Sequence, residues 1–279
     1  MLYQKNSSRT LDKSLFQNPT SEYRGTPFWA WNCKLDKERL ERQIGYFKEM
    51  GLGGFHMHSR TGMATEYLSD EFMDIVRACV EKAEKEQMLA WLYDEDRWPS
   101  GAAGGLVTRN PGYRVRKLVF TPEKRTDCVS KEIGIETGKP YFVASYDIVL
   151  NEKGELSDYQ RIPGKDDTNG STAKVDNAEK GNPGSDRWYA YVTTNDPNPW
   201  FNNQTYADTL NKEAIDRFID VTYERYKGAV GDKFGSIVPA IFTDEPQFER
   251  KTTLDFATDK TQVRLPWTND VADTFQREY

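Results

Sequence analysis

The chain has 279 residues, with 38 Lys and Arg against 44 Asp and Glu, for a net charge of −6. A chain of that length buries about 75% of its unfolded surface, enough for a core without disulfide or metal staples. The acidic balance argues against a nucleic-acid partner, no apolar run nears the roughly 20 residues of a membrane span, and no apolar signal core marks Met1–Thr20 for export.

Residues 1–25 read as a lead-in segment. Pro27-Phe28-Trp29-Ala30-Trp31 is a candidate buried strand, after which Asp36 is an N-cap and Leu40, Ile44 and Phe47 recur at helical spacing up to Gly51. Gly53-Gly54-Phe55-His56-Met57-His58 reads as a second strand. Ser69 caps a second helix whose first turn carries Asp70 and Glu71 and whose apolar stripe is Phe72, Ile75, Val76, Cys79, Val80 and Ala83. Met88 to Tyr93 is a third strand. Three strand–helix alternations predict an α/β fold, a parallel sheet with helices outside it, so residues 26–111 are taken as three β/α units.

The rhythm breaks over 112–206. Val115–Phe120, Tyr141–Leu150 and Trp188–Thr193 are β-type runs, and 164–186, rich in Gly, Asp, Asn, Lys and Ser, reads as a mobile loop. This is a β-rich insertion after the third strand. The α/β rhythm returns at Asn211, an N-cap, and a fourth strand from Ile237 to Phe242 ends in Thr243-Asp244-Glu245-Pro246. An amphipathic segment then runs from about Thr268 to Tyr279, so 207–279 is taken as a fourth β/α unit. Four units are half of an eight-unit barrel, and the expectation is a fragment of a longer chain or a half that closes onto another chain. Cys33, Cys79 and Cys128 are far apart and lack a Cys-x-x-Cys, which disfavours a disulfide framework or a cysteine-rich zinc site.

In parallel α/β folds functional groups gather at the carboxyl ends of the strands. Those ends carry Trp29, Trp31 and Asn32; His56, His58, Ser59 and Arg60; Tyr93, Asp94, Glu95, Asp96, Arg97 and Trp98; and Thr243, Asp244 and Glu245. A carboxyl at a desolvated mouth can serve as a general acid, although two acids followed by Pro also suit the first turn of a helix. The acids of 94–96 could grip hydroxyls, bind a hard cation, or form a structural ion cluster. His56 and His58 share a strand face and could meet one metal, but they are the only histidines. The tryptophans could stack on a sugar or fill the core. No G-x-S-x-G elbow occurs, and Ser100 to Gly105 lacks the Lys of a phosphate loop.

In order and content, Pro27–Asn32, Gly53–Arg60, Tyr93–Gly101 and Phe242–Pro246 resemble the amino-terminal catalytic region of the family 106 α-L-rhamnosidases, over roughly 22–110 and 208–250. The resemblance implies a (β/α)8 TIM barrel, of which this chain carries the first four units, inverting hydrolysis of a terminal α-L-rhamnoside, and a bound calcium. By the same analogy Glu245 is the general acid. The base belongs to a later strand that this sequence does not contain, and the remainder of the barrel becomes a partner in the same or another chain. The remaining residues at the strand ends, apart from Ser59 and Thr243, become substrate-binding candidates, and the family's setting is periplasmic or at the cell surface. Two other readings stand beside it: a non-catalytic carbohydrate-binding remnant, and a metal-dependent hydrolase using His56 and His58.

Overall fold

The computed structural model describes residues 9–153, 155–162, 185–256 and 259–279. In chain order its elements are α1 (Lys13–Gln17), β1 (Phe28–Trp31), α2 (Lys37–Glu49), β2 (Gly54–Ser59), α3 (Asp70–Glu86), β3 (Leu89–Tyr93), β4 (Arg116–Thr121) and α4 (Lys131–Thr137). There follow β5 (Tyr141–Leu150), β6 (Leu156–Ile162), β7 (Asp186–Thr194), α5 (Lys212–Val221), α6 (Tyr223–Val230), β8 (Ile241–Phe242), β9 (Val263–Trp267) and α7 (Val271–Glu278). They fall into two compact units. One comprises the chain up to Val107 with Pro199–Asn202 and Ile215–Pro246; the other comprises Thr108–Asn198, Asn203–Ala214 and Gln247–Tyr279.

The first unit holds a parallel sheet in the order β1-β2-β3-β8. The helices start where their caps dictate: the Asp36 carboxylate accepts from the Arg39 amide and the Ser69 hydroxyl from the Phe72 amide. The apolar stripe of α3 is buried from Phe72 to Ala83, and each large side chain so removed from water contributes about 1.5–3 kcal/mol. Strand alternation sorts β1 and β2 by face. Trp29 and Trp31 turn to the helical side, against Phe47, Phe55 and Phe72. Phe28, His56 and His58 turn to the other side, where Trp91, Tyr93 and Phe242 join them. Gly54 is required where β2 meets β3, because a Cβ there would lie 2.4 Å from the Leu89 carbonyl oxygen.

The sheet is thus a mixed α/β arrangement with β1 and β8 as edges, and the described residues do not close a TIM barrel. The fourth strand is shorter than the Ile237–Phe242 run. Only Ile241–Phe242 is regular, although the amides of Ala90, Leu92 and Asp94 donate to the carbonyls of Ile237, Ala240 and Phe242. The helix opening after Asn211 is interrupted at Thr222, whose hydroxyl donates back to the Phe218 carbonyl, a bond that competes with helix propagation.

The second unit holds an antiparallel sheet in the order β6-β5-β7-β4-β9. Tyr141, Ala144 and Ile148 of β5 and Trp188, Ala190 and Val192 of β7 share its buried face. Arg116 is buried too, and its Nη2 donates to the carbonyls of Ile135 (2.9 Å) and Pro111 (3.3 Å). Residues 207–279 are therefore divided: Val263–Trp267, an alternating run interrupted by Pro266, pairs with β4, and α7 lies in this unit rather than following the fourth parallel strand. The stretch 164–186, read as a loop, lies outside the described residues apart from Ser185 and Asp186.

Candidate functional site

The carboxyl ends of β3 and β8 are adjacent because Tyr93 pairs with Phe242. The turn after β3 is then tied to the turn after β8 by two reciprocal bonds: the Ser100 amide donates to the Asp244 carbonyl (2.9 Å), and the Asp244 amide donates to the Ser100 hydroxyl (2.8 Å). The two acidic stretches that the sequence separates by some 150 residues thus meet within one unit.

Asp94 lies at the bottom and is fully buried. It accepts from the hydroxyls of Ser100, Thr243 (2.6 Å) and Tyr223 (2.7 Å). Burial raises its carboxyl above the usual range, and these three donors pull it back. Glu95 is also buried. Burial raises its carboxyl, His58 opposes the rise and the charge of Asp244 adds to it. Its Oε1 has no hydrogen bond and faces the Nε2 of His58 at 3.9 Å, which also has none. The His58 ring stacks on Tyr93 at 3.9 Å, and Tyr93 stacks on Phe242 at 5.3 Å. The Tyr93 hydroxyl donates to Asp244 Oδ2 at 2.6 Å, and burial together with that bond pushes the phenol up.

Glu245 caps the arrangement. Its side chain is exposed, its backbone has φ +44°, and its Oε2 accepts from the Trp98 indole at 3.1 Å. A non-glycine residue in the left-handed region costs about 1–2 kcal/mol, and such conformations concentrate at functional positions. The rings of Trp98 and Phe28 are 36% and 53% exposed, so aromatic surface is open on this unit.

The structure gathers His58, Tyr93, Asp94, Glu95, Trp98, Asp244 and Glu245 of the expected set. His56 lies beside them on the same face, stacked on Trp91, its Nδ1 donating to the Thr26 carbonyl at 3.1 Å; burial lowers its pKa. Trp29 and Trp31 do not join: both are buried on the helical side, with the Trp29 indole donating to Gln43. Asp96 and Arg97 turn to the 199–202 segment. Asp96 accepts from the Gly104 amide and Asn202, and burial raises its carboxyl against those bonds, while Arg97 donates to the carbonyls of Pro199 and Trp200. Asn32 and Arg60 are exposed at the ends of β1 and β2. The sequence put Thr243 at a strand end but did not single out Ser100, Tyr223, Phe28 or Phe242 for the site. Alternation with Trp29 was the one signal that could have put Phe28 on the open face.

Among the described residues no three His, Cys, Asp or Glu side chains are grouped to hold a metal. Asp94 and Asp96 already use their oxygens on protein donors, so among the described residues the calcium implied by resemblance finds no ligand set and His56 and His58 gain no third partner. No helix among the described residues is long and apolar enough to cross a membrane.

No family model matches the chain, and no curated protein matches it. Among solved structures the chain is similar to a rhamnosidase from Novosphingobium sp. PP1Y, with 15% identity and a TM-score of 0.32, over 48% of this chain and 15% of that one.

Proposed function

We propose that the first unit carries the proton-donating half of a glycoside hydrolase site, of the α-L-rhamnosidase type, with Glu245 as general acid. The observation that supports this reading is the exposed Glu245 carboxyl, held in left-handed backbone and fixed by the Trp98 indole next to an Asp244 bonded to Tyr93. In the reaction Glu245 gives its proton to the glycosidic oxygen as the bond from C1 to that oxygen breaks. Water adds to C1 from the opposite face and yields its proton to a second carboxylate, the inverting course. Neither Glu95 nor Asp96 is given that second role, since Glu95 is occluded and Asp96 is engaged by Gly104 and Asn202. Trp98 and Phe28 offer ring faces to the sugar.

The test is turnover of an aryl α-L-rhamnoside by wild type and Glu245→Gln in the complete enzyme, with the rest of the barrel present to supply the second carboxylate. The variant is expected to lose about 10²–10⁴-fold on a poor leaving group and less on an activated one. Equal turnover on both removes Glu245 from the role. Rhamnoside binding by the wild type without turnover points to the carbohydrate-binding remnant instead.

A further inference from the structure

We propose that the second unit holds a separate groove for an acidic saccharide, a pyranose bearing a carboxylate, on the face of its antiparallel sheet opposite the one that carries Tyr141 and Trp188. Register places it there: Phe142 pairs with Tyr191, Ser145 with Tyr189 and Asp147 with Arg187, so these side chains share one face. The loop after β4 crosses this face, and its Arg125 amide donates to the Tyr191 hydroxyl at 2.9 Å, which pins Lys124 and Arg125 beside the rings. The groove has a volume of about 580 Å³, within the span of small-ligand sites.

Its chemistry is unlike the rest of this acidic chain. Three of its eight lining residues, Lys124, Arg125 and Arg187, are cationic and none is acidic. Asp127 and Asp147 hold the Nε and Nη2 edges of Arg125 and Arg187, which leaves each Nη1 without a hydrogen bond among the described residues. Guanidinium donors fixed in this way, with an ammonium group nearby, suit a carboxylate. Phe142 is 41% exposed and Tyr189 is half-buried, and both pack on the Tyr191 ring, which is itself buried and backs the groove. Such rings suit the apolar face of a pyranose. No glycine lines the groove, which separates it from a phosphate cradle built on glycine-rich backbone.

The inference is independent of the hydrolytic reading, because it uses no residue of the first unit. The test is calorimetric titration of the full chain with trigalacturonate, galactotriose and inorganic phosphate. Trigalacturonate is expected to bind, more weakly as salt rises, with galactotriose and phosphate at least about tenfold weaker. Lys124→Glu and Phe142→Ala, both at exposed positions, are each expected to weaken binding roughly tenfold with the unfolding midpoint unmoved, and Glu245→Gln to leave binding as in the wild type. Absent binding, equal binding of galactotriose or phosphate, or wild-type affinity in both groove variants overturns the proposal. Loss of binding in Glu245→Gln would place the saccharide elsewhere and overturn it as well.

Discussion

Glu95 Oε1 and His58 Nε2 face each other at 3.9 Å, both buried and neither hydrogen-bonded. Burial favours the neutral carboxyl, so Glu95→Gln removes little that the fold uses and is expected to change stability by less than about 1 kcal/mol. His58→Ala removes the ring stacked on Tyr93 and leaves a cavity, with an expected cost of about 3 kcal/mol. Urea unfolding of the two variants compares them, and equal losses would contradict this account.

Trp98 fixes Glu245 through one indole N–H. Trp98→Phe keeps an aromatic face and deletes that donor. On the hydrolytic reading kcat is expected to fall about tenfold, a loss near 1.4 kcal/mol, while KM holds. A rise in KM with unchanged kcat would make Trp98 a sugar platform and not a positioning residue for the acid.

Asp208 gives the second unit a pH dependence. It is buried, accepts from Thr268 (2.9 Å) and from the Leu210 amide (3.1 Å), and burial raises its carboxyl to about 6 against the opposing pull of those donors and Arg116. The folded state therefore binds the proton more tightly than the unfolded one. Its stabilising contribution is full below the unfolded pKa near 3.8 and is lost as pH rises through about 6. The loss amounts to at most about 3 kcal/mol. Asp208→Asn is expected to flatten the fall in the urea unfolding free energy between pH 4 and 7 by up to that amount; parallel profiles for variant and wild type would refute the assignment.

Gly54→Ala tests the closeness of β2 and β3. The added Cβ would meet backbone, the Leu89 carbonyl oxygen at 2.4 Å, and not a side chain able to swing away. A cost of about 3 kcal/mol or more is expected, read as a lowered thermal midpoint. A midpoint equal to wild type would show that the two strands separate easily.

Local patterning was enough for most elements. The 3.6-residue stripe from Phe72 to Ala83, the caps at Asp36 and Ser69, and the runs at 27–31, 53–58, 88–93, 115–120, 141–150 and 188–193 all mark elements that form, with ends shifted by at most two residues. Legibility failed where long-range pairing supplies the structure. Val263–Trp267 contains a proline and becomes a strand as an edge beside β4, and Thr222 breaks a helix whose apolar periodicity runs straight through it.

The same division holds for the candidate site. Residue types and their position after apolar strands were enough to single out Asp94, Glu95, Asp244 and Glu245 as chemistry-bearing, because charged groups at strand ends are visible in one dimension. Which of them is exposed, which is sealed in, and which tryptophan meets a carboxyl depend on strand pairing and on the face each residue takes. Trp29 and Trp98 illustrate this: one pitch of the pleat sends the first into the helical core, and the meeting of two turns, 147 residues apart in the chain, brings the second to Glu245. Alternation alone fixes that Trp29 and Phe28 face opposite ways, but which way is the core, and the meeting of Trp98 with Glu245, follow from contacts between segments that composition and spacing do not encode.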